Sequence, residues 1–288
     1  MSDASPDLEH LKDWIGKTEE VDDVVTIFQV QGLRALFDNA EVPKDGDPCG
    51  PMDHWCFFNP RVPKSEIGAD GHPKRGGFMP PVPLPRRMFG GCRAMHLQPF
   101  RVGEKVHRKN TIQDVVIKPG RTSTLVICTV KVEMSGENGL AITEEQDIIY
   151  RDNPPADAKD GAVGKTNPAP TDHDYIRTIE PDPVSMFRYS AVTFNGHRIH
   201  YDRKYVTEVE GYPGLIVHGP LTASHMLYLS MEQNSGKTVK RFDFQARSPL
   251  FDIAPFQVAG KANADGTHSL WSITPGGTVG TLATVEYA

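Results

Sequence analysis

YSAVTFNGHRIHYD, residues 189–202, and PGLIVHGPLTASHM, residues 213–226, decide how this chain is read. The first places Asn195, His197, Arg198 and His200 within six residues, between two apolar-patterned segments. Polar groups at that density are costly to bury unless they are fully paired or do chemistry. In the second, Pro220 is well placed as the first residue of a helix running to about Gln233. Leu221, Ala223, Met226, Leu227, Leu229 and Met231 fall on more than one face of it, which suits a largely buried helix. Together the two stretches read as an active site and the helix that carries it.

Outward from there, Asp182-Pro183 supplies a cap and a first-turn proline, so a short helix should lead into Thr193–Asn195. Asp202 should cap another short helical segment to about Glu208, before a turn at Gly211–Gly214. Four strand candidates follow the buried helix, at Val239–Ala246, Pro255–Lys261, Thr267–Thr274 and Gly280–Tyr287. One helix embedded in an antiparallel sheet is the simplest assembly of these parts.

The first half carries a weaker version of the same grammar. Apolar spacing over Asp22–Asp38, with Asp22 or Asp23 as cap, predicts a helix. From Val42 to Pro85 prolines and glycines dominate, while Trp55, Phe57, Phe58 and Phe78 favour an ordered covering loop over disorder. Strand-like runs rich in Val, Ile and Thr follow at His96–Gln113, Arg121–Met134 and Leu140–Arg151, separated by turns at Lys118-Pro119-Gly120 and Ser135–Gly139. Asp152–Thr171 has a linker's composition. The expected division is therefore 1–152, a linker at 153–171, and 172–288.

Hydrophobic content of 38% and charged content of 24% are ordinary for a globular protein, and a net charge of −6 provides no nucleic-acid footprint. No apolar run is long enough for a membrane span, and the N-terminus lacks the regions of a secretory signal. A cytoplasmic protein without nucleic-acid or membrane partners is expected. Cys49, Cys56, Cys92 and Cys128 have no CxxC spacing and read as reduced thiols, and no metal is assigned.

AVTFNGHRIHYD resembles the MaoC-like hydratase motif, and HGPLTAS resembles the His-Gly opening of the central helix in the same hot-dog fold. LPRRMFGG (Leu84–Gly91), FNGHRIHYD (Phe194–Asp202) and GYPGLIVHGPL (Gly211–Leu221) together look more like one branch. That branch contains mesaconyl-C4-CoA and itaconyl-CoA hydratases and type 2 3-hydroxyacyl-thioester dehydratases. The resemblance implies an α+β double hot-dog, an antiparallel sheet wrapped around a central helix and repeated twice, with a degenerate first copy and a catalytic second one. Two copies in one chain would form an internal pseudo-dimer and leave room for a further homodimer. The implied activity is reversible hydration of an enoyl-CoA to a 3-hydroxyacyl-CoA, on a short branched or dicarboxylic acyl group such as mesaconyl-C4 or itaconyl. The alternatives are a 3-hydroxyacyl-thioester dehydratase of fatty-acid synthesis, a hot-dog thioesterase, or a non-catalytic acyl-CoA-binding domain. Coenzyme A enters as part of the substrate, with no separate cofactor.

Where the MaoC motif has its catalytic Asp this sequence has Asn195, where it has Asn-Pro the sequence has His197-Arg198, and the final His is His200. An amide has no useful proton affinity near neutral pH but can orient a water, so the base role passes to a histidine. His200 is expected as the principal acid/base, with Asn195 holding the water and the Gly219 amide, at the start of the central helix, facing the developing oxyanion. His197 either shares the chemistry or orients His200. Arg198 either grips a substrate carboxylate or pairs with a surface acid, and His218 reads as a packing and capping residue beside the substrate. Arg86 and Arg87 are the first-half candidates for coenzyme A phosphates, with Arg188, Arg203 and Lys204 as others. His225 is expected to be a satisfied core histidine.

Overall fold

A computed structural model describes residues 8–119, 124–153 and 167–288. Its strands form one ten-stranded antiparallel sheet. The first five are β1 (Thr18–Val24), β2 (Arg86–His96), β3 (Lys105–Pro119), β4 (Thr124–Gly136) and β5 (Gly139–Arg151). The second five are β6 (Tyr175–Ile179), β7 (Val239–Ala246), β8 (Phe256–Ala262), β9 (His268–Ile273) and β10 (Val279–Tyr287). The spatial order is β1-β3-β4-β5-β2-β7-β10-β9-β8-β6. Each half therefore repeats one topology, with its first and third strands paired at the outer edge and its second strand at the junction. This is a double hot-dog, its halves joined by β2 and β7 in register from Gly91↔Gln245 to Met95↔Arg241.

Strand patterning sets the inner face. Along β4, Val126, Cys128, Val130, Val132 and Met134 are buried in strict alternation, and each such side chain contributes roughly 1.5–3 kcal/mol when removed from water. In the second half the concave face is filled by α3 (Gly219–Gln233), which packs on β8, β9 and β10. Eight of its residues are buried, including Leu221, Met226 and Leu227.

Among its described residues the first half has no such helix. Between β1 and β2 lie α1 (Ile27–Arg34) and short 3-10 turns at Ala35–Phe37, Asp53–Cys56 and Lys64–Glu66. Met52, Cys56, Phe57 and Phe58 are buried, so the covering loop is packed. Because no long helix fills this face, space remains between the loop and the sheet.

The second-half strands and α3 lie close to their expected spans, and α2 (Pro183–Val192) starts at the Asp182 cap, whose carboxylate accepts from Val184 N and Ser185 N. Three expectations fail. Asp22 and Asp23 belong to β1, and the helix begins only at Ile27, where Thr26 and Gln29 form a capping box. The run His96–Gln113 is two strands, the end of β2 and the start of β3, separated by a loop. Strands β2 and β6 were not foreseen. The expected linker at 153–171 and the turn at Lys118-Pro119-Gly120 lie partly outside the described residues.

Candidate active site

A cavity of about 1160 Å³ runs between the covering loop and the inner face of the first half, and it reaches the motif at Tyr189, Asn195 and Pro220. Local chemistry fixes the motif's shape. α2 ends as Thr193 Oγ1 donates to the Tyr189 carbonyl and Phe194 turns into the left-handed region at φ 51°. Asn195 N then bonds Ser190 O at 2.8 Å. A 3-10 turn over Arg198–His200 follows, and Asp202 accepts from Tyr205 N at 3.0 Å to start the expected short helical segment, a π-helical turn over Tyr205–Val209.

Asn195 lines the cavity. Its Oδ1 accepts from His197 N at 3.0 Å, and among the described residues Nδ2 has no partner, which leaves it a free donor. His200 Nδ1 lies 2.7 Å from the Ile216 carbonyl, and Ile216 N bonds back to Ile199 O at 3.0 Å. A carbonyl can only accept, so Nδ1 carries the proton and Nε2, which no group among the described residues bonds, presents a lone pair. Burial pushes His200 down to about 4, only partly opposed by the Ile216 bond and reinforced by the charge of His72.

His72, in the covering loop, was not singled out by sequence reasoning, yet it lines the cavity. Its ring lies 4.2 Å from that of His197, which is 5.5 Å from His200; His200 in turn stacks on His218 at 3.7 Å. His72 Nδ1 is 3.2 Å from Asp70 Oδ2. Burial raises the Asp70 carboxyl, but the bond and charge of His72 outweigh it and hold the group well below the usual range. His72 is itself pushed down by burial and the Arg87 charge, against the pull of Asp70. His197 is pushed far down by burial, then by His72 and His200.

The loop is clamped to the motif. Arg198 N bonds the Asp70 carbonyl at 2.9 Å, and Arg198 Nη1 bonds the Ala69 carbonyl at 3.0 Å. Asp70, His72 and His197 also bring one ligand atom each within 4.8 Å of one another, the spacing a metal ion requires. Two of those three ligands, however, are already engaged with each other.

Gly219 is the first residue of α3, and its N–H finds no backbone acceptor among the described residues. A Cβ there would meet nothing within 4 Å, so this helix end faces open space.

Three residues considered for substrate contact, Arg198, Arg86 and His218, lie outside the cavity lining. Arg198 is occupied by Asp202, with Nε at 3.0 Å and Nη2 at 2.7 Å, and its guanidinium lies over Tyr205, so it does not line the cavity. Arg86 is buried against Asn153, the Glu210 carbonyl and the Tyr212 ring. His218 is 1% exposed behind His200 and bonds Ser190 Oγ at 2.8 Å. Arg87 does line the cavity. His225 packs edge-on against Phe37, and burial pushes it down to about 4.

Deeper in the cavity, Glu144 accepts from Trp55 Nε1 at 3.0 Å and Gln146 Nε2 at 2.6 Å, and lies 2.7 Å from His54 Nε2. Burial works to raise this carboxyl, but those partners bring it to about 2.

The buried histidines set a stability profile. His200 and His225, both at about 4, and His96, pushed by burial to about 3, start from 6.5. Above 6.5 folded and unfolded chains are both neutral at these sites, and the contribution to stability is complete. As pH falls below 6.5 the unfolded chain binds protons that the folded chain refuses, so stability drains toward the folded values. Glu144 adds its own loss only below 4.5. Scanning calorimetry should therefore find Tm falling between pH 6.5 and 5; a flat or rising Tm there would contradict these assignments.

No described helix is long and apolar enough to cross a membrane. Comparison with known proteins now adds to the geometry. Residues 52–252 match the family model of hydroxyacyl-thioester dehydratase type 2. The chain is 42% identical over 281 residues to mesaconyl-C(4)-CoA hydratase of Chloroflexus aurantiacus, covering 95% of this chain and 96% of the relative. It is 26% identical over 234 residues to a mitochondrial hydroxyacyl-thioester dehydratase type 2 of Schizosaccharomyces pombe, covering 72% and 76%. Its fold matches a MaoC-like dehydratase from Phytophthora capsici with a TM-score of 0.70 at 14% identity, over 95% of both chains. HtdX of Mycobacterium tuberculosis matches with a TM-score of 0.63 at 17% identity, over 94% of this chain and 100% of that one. The fold is that of MaoC-like dehydratases, and the chain belongs to the hydroxyacyl-thioester dehydratase type 2 family.

Proposed function

We propose that the protein hydrates an enoyl-CoA thioester with a short, branched dicarboxylic acyl group, of which mesaconyl-C4-CoA is the leading candidate, and catalyses the reverse dehydration. The observation that carries this reading is a cavity lined by the Asn195 amide and by His72, with the rings of His197 and His200 following behind His72 at 4.2 and 5.5 Å and outside the lining itself. In the forward direction a water oxygen bonds the β-carbon while an imidazole removes one of its protons. The π electrons move to the α-carbon and the thioester oxygen, and a proton then reaches the α-carbon. Asn195 Nδ2 and the Gly219 N–H are the donors assigned to the water and the developing oxyanion. Proton transfer is assigned to His200, as the sequence suggested, together with His72. Both have Nδ1 engaged, by the Ile216 carbonyl and by Asp70 respectively, so both offer Nε2. Asp70 additionally stabilises an imidazolium on His72.

Burial supports catalysis by keeping the imidazoles neutral and therefore able to accept a proton. The identity with the Chloroflexus hydratase supports the acyl class. The chain's cytoplasmic location and its assembly as a homodimer belong to the same proposal. Phe28, Val184 and Phe187 are exposed on α1 and α2, which touch each other, and so form an apolar face a second copy can cover.

The test is incubation with mesaconyl-C4-CoA, itaconyl-CoA and a straight-chain series beginning at crotonyl-CoA, with product identification. Hydration confined to the dicarboxylic thioesters is the expected result. Preference for medium-chain substrates would favour the fatty-acid dehydratase reading, free coenzyme A release a thioesterase, and no turnover on any would overturn the proposal.

A further inference from the structure

The covering loop and β2 bring several basic groups to the cavity, and their surroundings differ. Arg61 pairs with Asp23 at 2.6 Å. Arg75 is spent on the carbonyls of Val82, Leu84 and Pro85. Arg108 is likewise half-buried without a hydrogen bond or ion pair among the described residues, but it lies on the Phe58 ring and three acids, Glu19, Glu144 and Asp23, already balance its charge. Lys64 and Lys74 are exposed at the rim.

Arg87 is different. It is half-buried and lines the cavity from β2, with Phe89 two residues on. Among the described residues no hydrogen bond or ion pair engages its guanidinium. Removing a guanidinium partly from water without a partner is unfavourable, and a bound anion would reverse that cost. We infer that Arg87 is the clamp for the free carboxylate of the acyl group, and thereby the residue that selects dicarboxylic over monocarboxylic thioesters.

This rests on the proposed acyl class, and it reassigns a residue first expected at a coenzyme A phosphate. The reason is position. Arg87 sits across from Tyr150 on β5, whose ring carries Arg75, three residues after His72, and its charge is felt at both His72 and His197, so it lies toward the histidine end of the cavity, where the double bond must be. In a mesaconyl-C4 thioester the carboxylate is attached to the β-carbon itself, about 4 Å from the thioester carbon across three bonds of roughly 1.5 Å. The coenzyme phosphates lie beyond the whole pantetheine arm. A cation beside the acid–base histidines therefore meets the carboxylate, while the exposed rim lysines are better placed for phosphates. A guanidinium also offers two parallel donors in the geometry a carboxylate accepts.

The experiment uses unreactive saturated probes, so that binding is read apart from turnover. The dissociation constants of 2-methylsuccinyl-C4-CoA and isovaleryl-CoA, which differ only in carboxylate against methyl, are measured for wild type, Arg87→Gln and Arg87→Lys. Wild type should prefer the carboxylated probe, and Arg87→Gln should reduce that preference by about 10- to 100-fold, the worth of a lost charge-assisted pair. Arg87→Lys should retain part of it, with melting curves confirming that both variants fold. A wild type without preference, or an Arg87→Gln variant that weakens both probes equally, would overturn the inference. Failure of wild type to hydrate mesaconyl-C4-CoA while the preference and its loss persist would sink the proposed reaction and leave the clamp standing.

Discussion

Replacing His200 by alanine lowers the hydration rate by a factor on the order of 10²–10⁴, the scale of a positioned acid–base group, and Asn195→Ala has an effect on the same scale. His200 is suited to the role by its fixed tautomer. Because Ile216 O holds Nδ1–H, the ring cannot turn its proton toward the substrate, so Nε2 remains an acceptor. The methyl group of alanine leaves a gap against His218, with which the imidazole stacks at 3.7 Å, and leaves the Ile216 carbonyl without its donor. Some stability is therefore lost as well, on the order of 1–3 kcal/mol for an orphaned buried acceptor. The two consequences separate experimentally. Loss of the enoyl-thioester absorbance gives the rate, melting curves give the stability, and added imidazole should restore part of the first without the second. Wild-type turnover in His200→Ala would move the proton transfer wholly to His72, and His72→Gln would then be the inactive variant.

The second half was legible because its signals are local. Asp182-Pro183 is a helix start written in two residues, and β8, β9 and β10 are separated by short Gly-containing turns at 263–267 and 274–278. The first half hides its elements in non-local contacts. Asp22 and Asp23 stand just before the apolar positions Val25, Ile27 and Phe28 and read as a helix cap, but β1 is a strand because residues 18–24 find β3 beside them, from Thr18↔Thr111 to Val24↔Lys105. Strand β2 was obscured by Arg86-Arg87 and by Gly90-Gly91, residues that usually mark loops. At Gly91 the glycine serves the sheet, since a Cβ there would sit 2.4 Å from the Phe244 carbonyl of β7. The motif residues Asn195, His197 and His200 were found because they cluster in sequence. Their partner His72 was not, because it reaches them only after the covering loop folds back. Its one local signal is Asp70-Gly71-His72, an acid two residues before a histidine with glycine between, the spacing of an Asx turn; Asp70 Oδ1 does accept from His72 N at 3.0 Å. Of the two roles open to Arg198, the structure shows the pairing with a surface acid, and Asp202 at i+4 is the residue that provides it.

That loop makes Gly71→Ala the most informative single change outside the motif. Gly71 has φ +92°, and a Cβ there would lie 1.8 Å from the Gly196 carbonyl oxygen, so both its own backbone and its neighbour forbid a side chain. Left-handed strain alone costs roughly 1–2 kcal/mol. The overlap is too severe for small adjustments because the atom it meets is backbone, so the loop must lift away from Gly196. Lifting strains the bonds from Arg198 to the Asp70 and Ala69 carbonyls and carries His72 off His197. Turnover should fall on the order of 10²-fold, as expected when a catalytic group moves by about 1 Å, while the ten-stranded sheet, which the loop only covers, keeps most of its stability. A double-mutant cycle decides the cause. If Gly71 acts through His72, the Gly71→Ala, His72→Gln double variant is no slower than His72→Gln alone. Losses that multiply would mean that the loop contributes through something other than His72, and a fully active Gly71→Ala would show that the covering loop does not need to rest on the motif at all.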